Sequence, residues 1–458
     1  MTMQSRRDLF QAHRLMTRRA SLALLRGEPD IPDQPLRRLN VGTFSGVLVA
    51  VIVTALFVIW GLLGHGGSAL QYQPGLLALD KQTGQPYVFC QNREICPVLN
   101  YASARLALGN TTVTQETVTQ ASLAKFPRGP LIGIAGLPPL PVSGQLVRQP
   151  WSVCTQTALG TSGTQTTTTV AAGIPTGGTP AGGGALLAQA PNGQDWVIWD
   201  AQRMLIQPSA LSALATSQSA LPVPAVWLNA LPQGPAFAPP PITDQGTTVA
   251  GPAGPVHVGQ VYQVTVVAGS TQFYVMRRDG LAPITKTQAE LLDFEPGAPK
   301  QATLAPSDVT DHRSAATVPS GGLPASIPAI VTPGSSAPLC VVYSGGSPAL
   351  TSQVETGGRM PSGGTATGNP AGVTAVALPA GAGALVGDAP GTGQSSGAVS
   401  YFLVVGGRRY ALASKEVAGM LGYSLSQAVL LPAGVVDLIP AGPVLDPAQA
   451  TKTVPPGG

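Results

Sequence analysis

Hydrophobic and polar positions divide this chain sharply near its start. Residues 41–63 (VGTFSGVLVAVIVTALFVIWGLL) run for 23 positions without a charged side chain. An uncharged, mostly apolar run of about 18 residues or more is long enough, as a helix, to cross the hydrocarbon core of a bilayer. The pattern predicts a head at 1–40, one transmembrane helix at 41–63 and a body at 64–458. In the head, Leu9, Phe10, Met16 and Leu24 recur at loosely helical spacing with arginines between them, which predicts an amphipathic helix.

In the body the apolar runs are short and broken by turn residues. Residues 195–204 (DWVIWDAQRM) and 401–410 (YFLVVGGRRY) each read as strand, tight turn, strand. A Pro-x-Gly-Pro turn follows each, at 232–235 and 440–443, and a third stands at 127–130. A second pair aligns Tyr87-Val88-Phe89, leading to 95–98, with Tyr274-Val275-Met276, leading to 279–284; a helical segment follows in both, at 101–108 and 287–292. The matches suggest four small αβ units in two related pairs, near 85–130, 195–242, 260–295 and 400–445. The predicted class is α+β: one N-terminal transmembrane helix and a β-rich body with short helices.

Composition supports that class and adds two interruptions. Charged residues are 10% of the chain, with 56 glycines, 45 prolines and a mean hydropathy of +0.22. This is too apolar for a wholly disordered chain and too rich in breakers for long helices. The stretches 155–192 and 344–398 are mixtures of Gly, Ser, Thr, Ala and Pro without an apolar period, and read as flexible surface insertions.

Charge and cysteine placement bear on topology. The head holds eight arginines against Asp8, Glu28, Asp30 and Asp33, a balance of +4, equal to that of the whole chain. Cationic flanks stay on the cytoplasmic side, so the head is expected inside and the body outside. A cleaved signal peptide would have a shorter apolar region and a shorter basic lead. All four cysteines (Cys90, Cys96, Cys154, Cys340) lie beyond the apolar run, and an even count in an exported body favours disulfides. Three pairings are open. The favoured one closes a short loop between Cys90 and Cys96 and a long one between Cys154 and Cys340. The spacing is poor for zinc, and no histidine cluster accompanies it.

Residues 8–14 (DLFQAHR), with Arg18-Arg19-Ala20, resemble the cytoplasmic start of the EccB family, the single-pass membrane components of actinobacterial type VII (ESX-type) secretion systems. The resemblance continues through 97–106 (PVLNYASARL), 129–134 (GPLIGI), Trp151-Ser152-Val153-Cys154 and Leu339-Cys340. It implies an extracytoplasmic body of repeats about a central core, tied by one disulfide matching Cys154–Cys340. Cys90 and Cys96 depart from the family pattern and read as an added staple. The resemblance also implies that the head docks among EccC, EccD and EccE subunits, with Arg6, Arg7, Leu9, Phe10, Arg14, Arg18 and Arg19 as docking residues. Positive-inside topology and attraction to anionic lipid are the simpler account of the same arginines.

Some members of the family carry an ATP-hydrolysis label, but the chain contains no Gly-x-x-x-x-Gly-Lys-Ser/Thr string to cradle phosphates. Gly393-Gln394-Ser395-Ser396-Gly397 matches a nucleophile elbow in letters only. It lies in low-complexity sequence, and no histidine follows it. His13, His65, His257 and His312 are scattered, and Glu290, Asp293 and Glu295 read as the solvated end of a helix. No cofactor, metal or nucleic acid is expected.

The leading expectation is a structural, non-catalytic subunit of a type VII secretion membrane complex. It would be single-pass in the cell membrane, partnered by EccC-like, EccD-like and EccE-like subunits and by copies of itself. The rival is a cell-wall anchor that grips glycan through exposed Trp196, Trp199 and Trp227, with an ATP-hydrolysing component third.

Overall fold

Short β-branched and aromatic runs bounded by Gly, Pro and Asp give strands of a few residues, and these dominate the chain after residue 70. The computed structural model describes residues 6–26, 35–64, 70–160, 163–214, 217–266, 269–346, 350–368, 372–389 and 399–455. The chain falls into two compact units, Met1–Gln71 and Tyr72–Gly458. The first contains α1 (Arg6–Arg26) and α2 (Pro35–Gly64). Proline opens α2, where its fixed φ suits a helix and its missing N–H costs nothing.

Four sheets of the second unit share one strand order, third–second–first–fourth. The first sheet uses Leu76–Asp80, Pro86–Phe89, Ile95–Pro97 and Thr114–Val118; the second uses Leu186–Gln189, Asp195–Trp199, Gln202–Ile206 and Leu221–Pro222. The third uses Val261–Thr265, Thr271–Arg277, Gly280–Ile284 and Ala302–Leu304; the fourth uses Ala384–Ala389, Tyr401–Val405, Arg408–Ala411 and Val429–Pro432. In each, the first three strands form an antiparallel meander and the fourth joins the first in parallel. Parallel strands need a crossover, and helical segments supply it: α3 (Tyr101–Leu108) in the first sheet and α4 (Lys286–Asp293) in the third. Asn100 caps α3 through its side chain, and Thr285 with Gln288 forms a reciprocal capping box on α4.

A return segment then closes the edge of each third strand by the same two hydrogen bonds. The N–H of Ile95, Arg203, Leu281 or Arg409 donates to the carbonyl of Pro127, Pro232, His312 or Pro440. The N–H of Gly129, Gly234, Ser314 or Gly442 donates back to the same strand residue. Three of these segments are the Pro-x-Gly-Pro turns. Glycine is needed because the chains cross closely: a Cβ at Gly442 would lie 2.3 Å from Cε1 of Tyr410. In the third sheet the small residue changes sides. Gly280 (φ +134) stands in the strand, where a Cβ would lie 2.4 Å from the His312 carbonyl oxygen, and Ser314 replaces glycine in the segment.

The two stretches read as flexible insertions instead build much of the centre of the body. A seven-stranded sheet runs in the order Thr365–Ala366, Ala375–Ala377, Gly163–Ala172, Trp151–Gly160, Leu339–Ser344, Thr351–Thr356, Thr179–Pro180. The threonine run that looked like a linker is β-branched and pairs well in strands. Its outer half is exposed, while Val170, Ala171 and Ala172 are buried. Trp151, Val153, Val341, Tyr343 and Trp227 share one core with Leu186 and Ile198 of the second sheet and Val386 and Val404 of the fourth. The fourth and first sheets meet in a second core, where Leu403, Tyr410 and Val417 pack against Ala102 and Leu106 of α3.

The sheets also begin or end beyond the bounds read from sequence. The first strands of the first, second and fourth sheets lie upstream, at Leu76, Leu186 and Ala384, and the third unit runs on to Ser314. Those strands are rich in Ala and Leu, and their composition did not set them apart from the neighbouring linkers.

Candidate docking and assembly surfaces

On α1 a step of 100° per residue places Leu9, Ala12, Met16, Ala20 and Ala23 along one face and Arg7, Arg14 and Arg18 along another. Leu9, Phe10, Met16 and Leu24 are 64%, 70%, 71% and 88% exposed. Arg6, Arg7, Arg14, Arg18 and Arg19 are exposed on the same helix. The helix therefore carries both a row of cations and an apolar face open to a partner.

Within α2, Val41–Gly61 is long and apolar enough to cross a membrane, and none of it is buried by protein. Its hydroxyls are satisfied internally: Ser45 donates to the Val41 carbonyl and Thr54 to the Ala50 carbonyl at 2.7 Å. This removes the cost of carrying them into lipid.

In the body the four cysteines form two disulfides, Cys90–Cys96 and Cys154–Cys340. Cys154 and Cys340 face each other in register on adjacent antiparallel strands, with Cα atoms 4.0 Å apart, and both are fully buried. The bond welds the two middle strands of the seven-stranded sheet.

Among the described residues the chemistry-bearing side chains do not converge. His13 lies on α1, His257 on the edge of a two-stranded hairpin and His312 in a return segment; His65 and residues 393–397 lie outside the described residues. Glu290 pairs with Lys286 at 3.6 Å, and Glu295 accepts from Gln245 at 2.6 Å. Asp293 is not simply solvated: burial, and then the nearby Glu290 charge, push its carboxyl up to about 6. Its Oδ1 is buried without a hydrogen-bond partner among the described residues.

The proposed sugar platform also changes. Trp227 is fully buried in the central core, and Trp196 and Trp199 are half-buried, packed on separate clusters. Arg203 covers the Trp196 ring at 5.3 Å. Sequence could not show this, because indoles serve cores and sugar sites alike.

Sequence reasoning missed an aromatic row at the start of the body: Tyr72 stacks edge-on to Phe89 at 5.1 Å, and Phe89 to Phe126 at 5.0 Å. These three lie far apart in sequence, and no periodic signal joined them.

Fold and surfaces together define, among the described residues, one apolar helix long enough to cross a membrane, a basic amphipathic helix before it, and a disulfide-tied α+β body. Residues 3–455 match the family described as "Type VII secretion system ESX-1, transport TM domain B", and the chain belongs to that EccB family. It is 27% identical over 322 residues to a Mycobacterium marinum protein named ESX-5 secretion system ATPase EccB5, covering 67% of this chain and 62% of the relative. It is 29% identical over 310 residues to ESX-3 secretion system ATPase EccB3 of Mycolicibacterium smegmatis, covering 63% and 58%. The match thus spans less than two thirds of those relatives' length. Among solved structures, an EccB3 dimer from the ESX-3 core complex superposes with a TM-score of 0.67 at 26% identity, covering 82% of this chain and all of that one. A chain of an intact ESX-5 inner membrane complex gives 0.66 at 24% identity, covering 100% and 97%, a likeness of fold.

Proposed function

We propose that this protein is a structural, non-catalytic subunit of a type VII secretion membrane complex. Its head docks to an EccC-like secretion ATPase and to EccD-like and EccE-like membrane subunits. Its body lies on the extracytoplasmic side and associates with further copies of itself. The observation that carries this reading is the family match over residues 3–455, which takes in the head, the helix and the body together.

Physical chemistry supports the orientation. Eight arginines against four acids before the helix favour a cytoplasmic N-terminus, and two disulfides in the body suit an oxidising compartment. The name ATPase given to the relatives is not carried over, since the chain lacks a Walker string. A wall-binding role through the three tryptophans is set aside because Trp227 is buried.

Affinity purification of the full-length chain from gently solubilised membranes, followed by mass spectrometry, tests the proposal. A large assembly holding a secretion ATPase and polytopic subunits should be recovered, and should be lost on deleting residues 1–40. Recovery of the protein alone, or with wall fragments only, would overturn the docking role.

A further inference from the structure

The first sheet carries a feature that its three counterparts lack. The Cys90–Cys96 disulfide closes a tight loop in which Asn92 and Arg93 both adopt left-handed backbone (φ 59). That geometry turns Arg93 outward, with its guanidinium 5.2 Å over the ring of Tyr72. Tyr72 is 44% exposed and begins the row that runs through Phe89 to Phe126. Phe126 is held by the adjoining return segment, which lies directly on the disulfide: a Cβ at Gly129 would stand 2.4 Å from Sγ of Cys96. Lys125 and Arg128 flank Phe126 and are exposed. The one carboxylate of the loop, Glu94, is half-buried and lies close against Gly129. The staple therefore fixes three aromatic rings and three cations at one end of one sheet.

Covalent connection says what such a tip can reach. Seven residues separate Gly64, the end of α2, from Tyr72. Eight trans peptide steps span at most about 28 Å. Aromatic rings and the stems of Lys and Arg settle at the headgroup level of a bilayer. Cations there gain further from anionic headgroups.

We propose that the tip formed by Tyr72, Phe89, Phe126, Arg93, Lys125 and Arg128 rests on an anionic lipid surface, so that the body is held against the bilayer at a second point besides its helix. The proposal needs α2 to cross the bilayer, and it is independent of which subunits the head meets.

The full-length chain reconstituted into vesicles containing brominated lipid, with and without phosphatidylglycerol, gives the test. Quenching of Trp60 in the unaltered chain first reports that α2 is inserted. In a Trp60→Phe background, Tyr72→Trp should add emission quenched about twice as strongly as that of Phe294→Trp, an exposed control in the second unit. The excess should vanish without phosphatidylglycerol, and also when Arg93, Lys125 and Arg128 are changed to Gln. Phe126→Trp gives a second reporter should Tyr72→Trp fold poorly. Equal quenching at the tip and the control, with Trp60 still quenched, would overturn the proposal. So would shielding of the tip seen only when other secretion subunits are reconstituted, because a protein would then be its cover.

Discussion

Asp293 is a carboxyl caught between burial and a like charge. In the folded chain it titrates at about 6, against 3.8 ordinarily. The folded state therefore holds this proton more tightly than the unfolded state. Its favourable contribution is complete below about pH 4 and is lost as pH rises through 6. Asp293→Asn keeps the shape and removes the charge. It should raise the unfolding temperature at pH 7 by roughly 1–3 °C, after allowance for solvent screening of a half-buried group, and leave it unchanged at pH 4. An equal gain at both pH values would trace the effect to something other than ionisation. Gly442 poses the opposite problem, one of space. Gly442→Ala forces a methyl into the buried ring of Tyr410 and should cost about 1–3 kcal/mol, measured by denaturant unfolding. Tyr410→Leu in the same chain should recover part of that loss. No recovery would mean that backbone strain, rather than the ring, sets the cost.

At the scale of elements, the two disulfides differ mainly in the length of chain they close. Cys154–Cys340 joins residues 186 apart and Cys90–Cys96 residues 6 apart. Chain entropy assigns the long loop about 5 kcal/mol and the short one about 2. Replacing Cys154 and Cys340 by Ser should thus lower the melting temperature clearly more than replacing Cys90 and Cys96, as read by scanning calorimetry. Equal losses would show that the reduced chain retains the pairing of the central strands. How far such elements were legible depended on residue chemistry. The hairpins at 195–204 and 401–410 and the Pro-x-Gly-Pro segments stood out because tight turns and close crossings demand particular residues. Both glycines of the Gly406-Gly407 turn have positive φ. The central sheet was hidden because Thr, Ala and Gly can make a linker or a strand, and only pairing between distant segments decides which. Cysteine pairing stayed open for a related reason: the register that sets Cys154 opposite Cys340 comes from strands far apart in sequence.

For the whole molecule, the question is how copies of the body would meet. Small sheets present strand edges through which copies could add to one another laterally. The structure closes one edge of each small sheet, because every third strand is covered by its return segment, and the fourth strand forms the other edge. The central sheet ends on both sides in two-residue strands, one of them containing Pro180. Short, proline-bearing edges are poor templates for adding strands. Association between bodies should therefore avoid the third-strand edges and the ends of the central sheet, and rest on side-chain packing or on the fourth strands. On the proposed function the head and the body carry different contacts, and experiment can separate the two. Chemical cross-linking in membranes should join copies of the chain equally well with or without residues 1–40, while recovery of other secretion subunits should fall with the deletion. Loss of both together would place self-association in the head, and the body would then be a passenger on a complex assembled within the membrane.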